Sequence, residues 1–88
     1  MDFDVCKDRV ISIVKKNSEH KPEDLGTVGV DTTLKYLGID SIAFVKIIVD
    51  LEGEFNVLFE DHKLMREDFI NISSFIEYIV FLKNKHLK

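Results

Sequence analysis

The sequence predicts an all-α fold: a small bundle of three main helices, with a short helix between the second and the last and a long loop between the first and the second. Apolar residues recur at helical spacing in three separate stretches, and the turn formers Pro22, Gly26 and Gly29 cluster between the first two. A chain of 88 residues, 45% hydrophobic, can bury one modest core and not two, so residues 1–88 are read as a single domain.

In the first stretch Phe3, Cys6, Val10, Ile13 and Val14 fall on one side, with Lys7, Lys15 and Lys16 at or beyond its edges, which predicts an amphipathic helix ending near Asn17. Ser18 to Leu37 is the main loop, pinned to the core by Leu25, Val28, Val30 and Leu34. Asp40 and Ser41 are both good N-cap residues, and the run Ile42 to Phe55 has no proline and only Gly53 as a weak spot, so a second helix opens at Ser41. Leu64 and Met65 anchor the short helix expected between Asn56 and Asn71, with Phe69 as a further plug. Ser74 followed by Glu77 reads as a capping box, and Ile72, Ile76, Ile79, Val80 and Leu87 make the last stripe.

The second helix carries two apolar stripes. Phe44, Ile47, Ile48, Leu51 and Phe55 cluster on one side, as a core face needs, while Ile42, Val45 and Val49 lie nearly opposite. With about three full helices available, a helix enclosed on all sides is not expected. Lys46 and Gly53 flank the second stripe as though solvent reached it, so Ile42, Val45, Lys46 and Val49 are read as a surface offered to partners.

Composition and motifs argue against several functions. Sixteen acidic against 12 basic side chains, a formal charge of −4, argue against a nucleic-acid partner. No apolar run is long enough to span a membrane, and Met-Asp-Phe-Asp at the start lacks the basic and apolar regions of a signal peptide, so a cytoplasmic monomer is expected. Cys6 falls on a core stripe and reads as a buried structural thiol. His20, His62 and His86 lack paired ligand spacing, and Glu60-Asp61 lacks the pattern of a calcium loop, so no metal site is expected. A serine hydrolase would need a Gly-x-Ser-x-Gly elbow, which the sequence does not contain. Lys83, Lys85 and Lys88 are favourable charges at a helix C-terminus.

Leu37-Gly38-Ile39-Asp40-Ser41-Ile42 places one hydroxyl at the start of a helix, where unpaired N–H groups and the positive end of the dipole favour a phosphodiester on Ser41 Oγ. Gly38, lacking Cβ, bends the chain into the helix and lets a modifying enzyme approach. Together with Leu51-Glu52-Gly53-Glu54-Phe55, and with Ile72-Ser73-Ser74 running on to Tyr78-Ile79, this motif resembles the phosphopantetheine attachment region of acyl and peptidyl carrier proteins.

The resemblance implies a non-catalytic carrier in which 4'-phosphopantetheine is joined covalently to Ser41 and holds acyl or aminoacyl groups as thioesters. It also implies that Asp40 helps position the serine, and a magnesium ion during arm transfer, so that the metal belongs to that encounter and not to the resting protein. The implied partners are a phosphopantetheinyl transferase with coenzyme A, an acyl- or aminoacyl-loading ligase or adenylation enzyme, and downstream synthase, condensation or thioesterase enzymes. Ala43 and Lys46 stand where fatty acid synthesis carriers often have acids, so the likeness runs towards free-standing carriers of nonribosomal peptide or polyketide assembly. A fatty acid synthesis carrier and an unmodified helical interaction module are the alternatives. The cargo is set by the loading enzyme's pocket and cannot be read from this chain.

Overall fold

The computed structural model describes residues 3–19, 26–59 and 69–85. These residues form three helices: α1 (Phe3–Lys16), α2 (Ser41–Phe55) and α3 (Ile72–Lys85). The three predicted main helices are present, in the predicted order, and residues 26–40 between the first two form turns and an isolated bridge rather than a helix. Leu64 and Met65, on which the short helix was placed, lie outside the described residues, as do Leu25, Leu87, the three histidines, Glu60-Asp61 and Lys88.

Each helix buries the stripe that its spacing dictates. Cys6, Val10 and Val14 of α1, and Ile47 and Leu51 of α2, are fully buried, with Phe44 and Phe55 nearly so. Phe3, Ile13 and Ile48 are half-buried against that core, at the margins of their stripes rather than at the centre. At roughly 1.5–3 kcal/mol for each large apolar side chain, this burial holds together helices too short to persist in water alone. The Cys6 thiol donates to the Phe3 carbonyl at 3.7 Å inside α1, the structural role expected of it.

α1 packs against both α2 and α3. Lys16 and Asp50 (3.4 Å) and Arg9 and Glu54 (3.4 Å) join α1 to α2 in antiparallel order. Contact between α2 and α3 runs through rings: Phe44 lies 5.9 Å from Phe75, and Phe69 stacks on Phe75 at 4.8 Å with 12° between planes. Phe69 is therefore the plug that the sequence suggested.

The entrance to α3 corrects the sequence reading. The helix starts at Ile72, so Ser74 lies within its first turn and the Ser74–Glu77 capping box does not form. Asn71 does the capping: its Oδ1 accepts from the Ser74 N–H (3.2 Å), the Ser74 hydroxyl (3.0 Å) and the Ser73 hydroxyl (2.8 Å). The α3 stripe also includes Phe75 and Leu82, both buried and both absent from the predicted set, while Val80 is only half-buried.

The long loop is fastened to this entrance. An antiparallel bridge pairs Thr33 with Asn71, flanked by Leu34 N–H to Ile70 O (3.0 Å), Ile72 N–H to Thr32 O (3.1 Å) and Ser73 N–H to Val30 O (2.8 Å). Two of the N–H groups that α3 cannot pair internally thus find loop carbonyls. Val28 and Val30 are half-buried and Leu34 is buried, as the pinning of the loop requires.

Replacing Phe75 with Ala should cost about 3–5 kcal/mol in urea unfolding, since it removes the ring on which Phe44 and Phe69 meet. Leu51→Asp, which buries an unpaired charge, should leave the chain unfolded by circular dichroism.

Candidate functional site

Two buried anchors present the predicted site to solvent. Leu37 (0% exposed) and Ile39 (3%) insert into the core from the end of the loop. Thr33 opens a hydrogen-bonded turn before them: its Oγ1 accepts from the Tyr36 N–H (3.1 Å), and the Ile39 N–H donates to Leu34 O (3.0 Å). The turn is tied back to α1 through Leu37 O, which accepts from the Ser18 hydroxyl (2.7 Å) and the Glu19 N–H (3.3 Å). Between the anchors Gly38 has φ +69°, a left-handed conformation that a side chain would strain. With Leu37 and Ile39 fixed on either side of it, the chain can only emerge at Asp40.

Of the two possible caps, Asp40 is the one used. Its backbone is extended (φ −89°, ψ −173°), its Oδ1 accepts from the Ala43 N–H at 2.8 Å, and its carbonyl accepts from the Phe44 N–H at 2.8 Å. Ser41 is consequently the first residue of α2, exposed, and its hydroxyl has no hydrogen-bond partner among the described residues. The side chain that holds the helix start and the exposed hydroxyl are thus adjacent and different.

The stripe predicted to face partners is exposed: Ile42 at 69%, Val45 and Val49 at 58% each, with Lys46 exposed among them. The acids of α2 are engaged elsewhere. Asp50 pairs with Lys16 and accepts from Asn17 Nδ2 (3.2 Å), Glu54 pairs with Arg9, and Glu52 Oε2 accepts from the Phe59 N–H at 2.9 Å.

Beside Asp40 opens a cleft of about 680 Å³. Its lining takes in Gly38, Ile39 and Asp40 of the predicted motif, together with Leu34, Phe69 and Ile70. The sequence did not reveal it, because it is made where the loop meets the segment before α3. Among the described residues no cluster of His, Cys, Asp and Glu could hold a metal ion, and no helix is long and apolar enough to cross a membrane.

The cap and the hydroxyl can be separated by unfolding measurements. Asp40→Ala should lose about 1 kcal/mol, whereas Ser41→Ala should stay within about 0.5 kcal/mol of the parent. Equal losses would mean that the serine also caps.

A family model for the phosphopantetheine attachment site matches residues 8–79, from within α1 to within α3. A search among curated proteins finds no match.

Proposed function

Because this chain belongs to the phosphopantetheine attachment family, we propose that Ser41 is the residue that carries the arm and that Ile42, Val45, Lys46 and Val49 form the surface that partner enzymes grip. Membership makes the chain a carrier domain, the site of covalent 4'-phosphopantetheine attachment, working with a phosphopantetheinyl transferase and partner enzymes. The observation that carries the Ser41 assignment is its exposed hydroxyl, without a hydrogen-bond partner among the described residues, on the first turn of α2 directly after the Asp40 cap.

The residues present fit the group. A phosphodiester on Ser41 Oγ would lie by the first-turn N–H groups of α2 and the positive end of its dipole. Asp40, exposed and with one carboxylate oxygen engaged by Ala43 N–H, fixes the direction in which Ser41 leaves the backbone and has its second oxygen to offer during arm transfer. When bound, the arm supplies a thiol on a long tether, on which acids are held as thioesters at high effective concentration near a docked enzyme. Catalysis is left to those enzymes. This chain contributes a nucleophilic hydroxyl, a rigid helix start and an apolar handle beside both.

The pathway reading follows from charge. The docking stripe carries Lys46, and Asp50 and Glu54 pair with basic groups of α1, so little negative charge remains on α2 to steer a basic partner. This favours a carrier of nonribosomal peptide or polyketide assembly, loaded by a ligase or adenylation enzyme, over one of fatty acid synthesis, where this helix is usually more acidic.

Three outcomes test this. Co-expression with a broad-specificity transferase should add one phosphopantetheinyl group to the intact mass, and Ser41→Ala should abolish the gain while staying folded; uptake by the variant would put the site elsewhere. Val45→Glu and Val49→Glu should change stability by about 0.5 kcal/mol and weaken transferase binding by roughly 1–2 kcal/mol. If Val49→Glu unfolds the chain as Leu51→Asp does, the stripe is core. The transferase association rate should fall only shallowly with added salt, and a steep fall would count against the charge reading.

A further inference from the structure

We propose that Ser18 is a positioning residue for arm transfer: its hydroxyl locks the peptide between Leu37 and Gly38, and so holds Ser41 in the orientation that a docked transferase meets. This rests on Ser41 being the attachment residue. Ser18 lies just beyond the end of α1, outside the motif that contains Ser41. The lead-in to Ser41 has one loose joint. Gly38, at φ +69°, has a backbone that passes easily between conformations, so a turn of the peptide before it would redirect the chain towards Ser41. Burial of Leu37 and Ile39 fixes where the chain passes, not how the peptide between them is turned.

That peptide is gripped on both edges. Its carbonyl, Leu37 O, accepts from the Ser18 hydroxyl at 2.7 Å and from the Glu19 N–H at 3.3 Å, while its N–H, on Gly38, donates to Lys35 O at 3.1 Å. In a trans peptide the two groups point in opposite directions, so turning the plane breaks all three bonds together. Ser18 supplies the shortest of the three and the only one made by a side chain.

The same end of α1 also holds α2. Asn17, next to Ser18, donates from Nδ2 to Asp50 Oδ2 (3.2 Å) and to Ile13 O (2.9 Å), and Lys16 pairs with Asp50 at 3.4 Å. Residues 16–18 therefore carry both the helix that bears the docking stripe and the turn that delivers Ser41 to its start. In arm transfer Ser41 Oγ bonds to the phosphorus that bears pantetheine, the bond from that phosphorus to the adenosine bisphosphate half of coenzyme A breaks, and the hydroxyl proton passes to a base on the transferase. Such a displacement depends on the alignment of the attacking oxygen. Docking engages the regular helix beyond the cap, which the core holds without Ser18, so loss of the Ser18 hydroxyl falls on the rate at saturation.

The test is steady-state arm transfer by a broad-specificity transferase, with the full chain as variable substrate and coenzyme A saturating. Ser18→Ala should lower kcat roughly fivefold or more while KM stays within about twofold. Ser18→Thr, which keeps the hydroxyl, should regain most of the parent kcat, and Ser18→Cys, a weaker donor, should fall between Thr and Ala. In Ser18→Ala the amide resonances of Gly38 to Ser41 should shift while those of α3 stay in place. Ile79→Val, a core change in α3, should leave kcat unchanged, which separates orientation from general loosening. A kcat for Ser18→Ala within about twofold of the parent, a Thr variant no faster than the Ala variant, or a KM rising in step with a falling kcat would overturn the role of Ser18 and leave the attachment site standing. Were Ser18→Ala not to fold, the order of the Thr and Cys variants decides in the same way. Arm uptake by Ser41→Ala would instead sink the attachment reading, and the role of Ser18 with it.

Discussion

The short antiparallel pairing of the loop with the entrance to α3 is the constraint on which the rest of the structure depends. Through Leu34 N–H to Ile70 O, Ile72 N–H to Thr32 O and Ser73 N–H to Val30 O, it satisfies backbone groups on both sides at once. A long connection without regular structure would otherwise leave polar backbone against an apolar core, and α3 would begin with unpaired donors. With the pairing in place, Leu34, Leu37 and Ile39 are carried into the core in turn. The position of Ser41 follows from that sequence of anchors, since Asp40 is the first residue after Ile39 that can turn outward.

Fixing the serine from the loop side lets α2 serve two surfaces. One face, through Phe44, Ile47, Leu51 and Phe55, is bound into the core. The opposite face has no structural duty, which is why valines and an isoleucine can stand there exposed. The pairs Lys16–Asp50 and Arg9–Glu54 are partly exposed, so each adds well under 1 kcal/mol. Their larger effect is on the field around α2, because they place a positive charge beside acids that a basic partner would otherwise meet.

Much of this was legible in the sequence. A period of 3.6 marks Val10, Val14, Ile47, Leu51, Ile72, Ile76 and Ile79 as core, and the cap types at positions 40 and 41 locate the start of α2 to within a residue. What was not legible depends on partners distant in the chain. Leu37 and Ile39 are core residues in a segment without periodicity, so no pattern announces them. Asn71 displaces Ser74 as the cap because the loop pairing sets where α3 begins, and a capping motif read along the chain contains no information about that pairing. Phe75 and Leu82 lie at the edge of the stripe predicted for α3, and Phe75 becomes a centre of the core because Phe69 and Phe44 close over it. The cleft was invisible for the same reason, being formed between residues 33–40 and residues 69–70, which are far apart in the chain.

Ser41 stands at the junction of two surfaces of different construction. On the α2 side a regular helix offers side chains at fixed spacing, which suits recognition by a rigid partner. On the loop side Gly38, Ile39 and the Phe69–Ile70 segment line a concave surface. Asp40 belongs to both, closing the helix with its Oδ1 and lining the cleft. At 100° per residue, a hydroxyl one turn further along α2 would fall on the core face with Phe44 or on the exposed stripe with Val45. The first turn is thus where α2 leaves a side chain exposed beside the loop, at the boundary between its buried face and its exposed stripe.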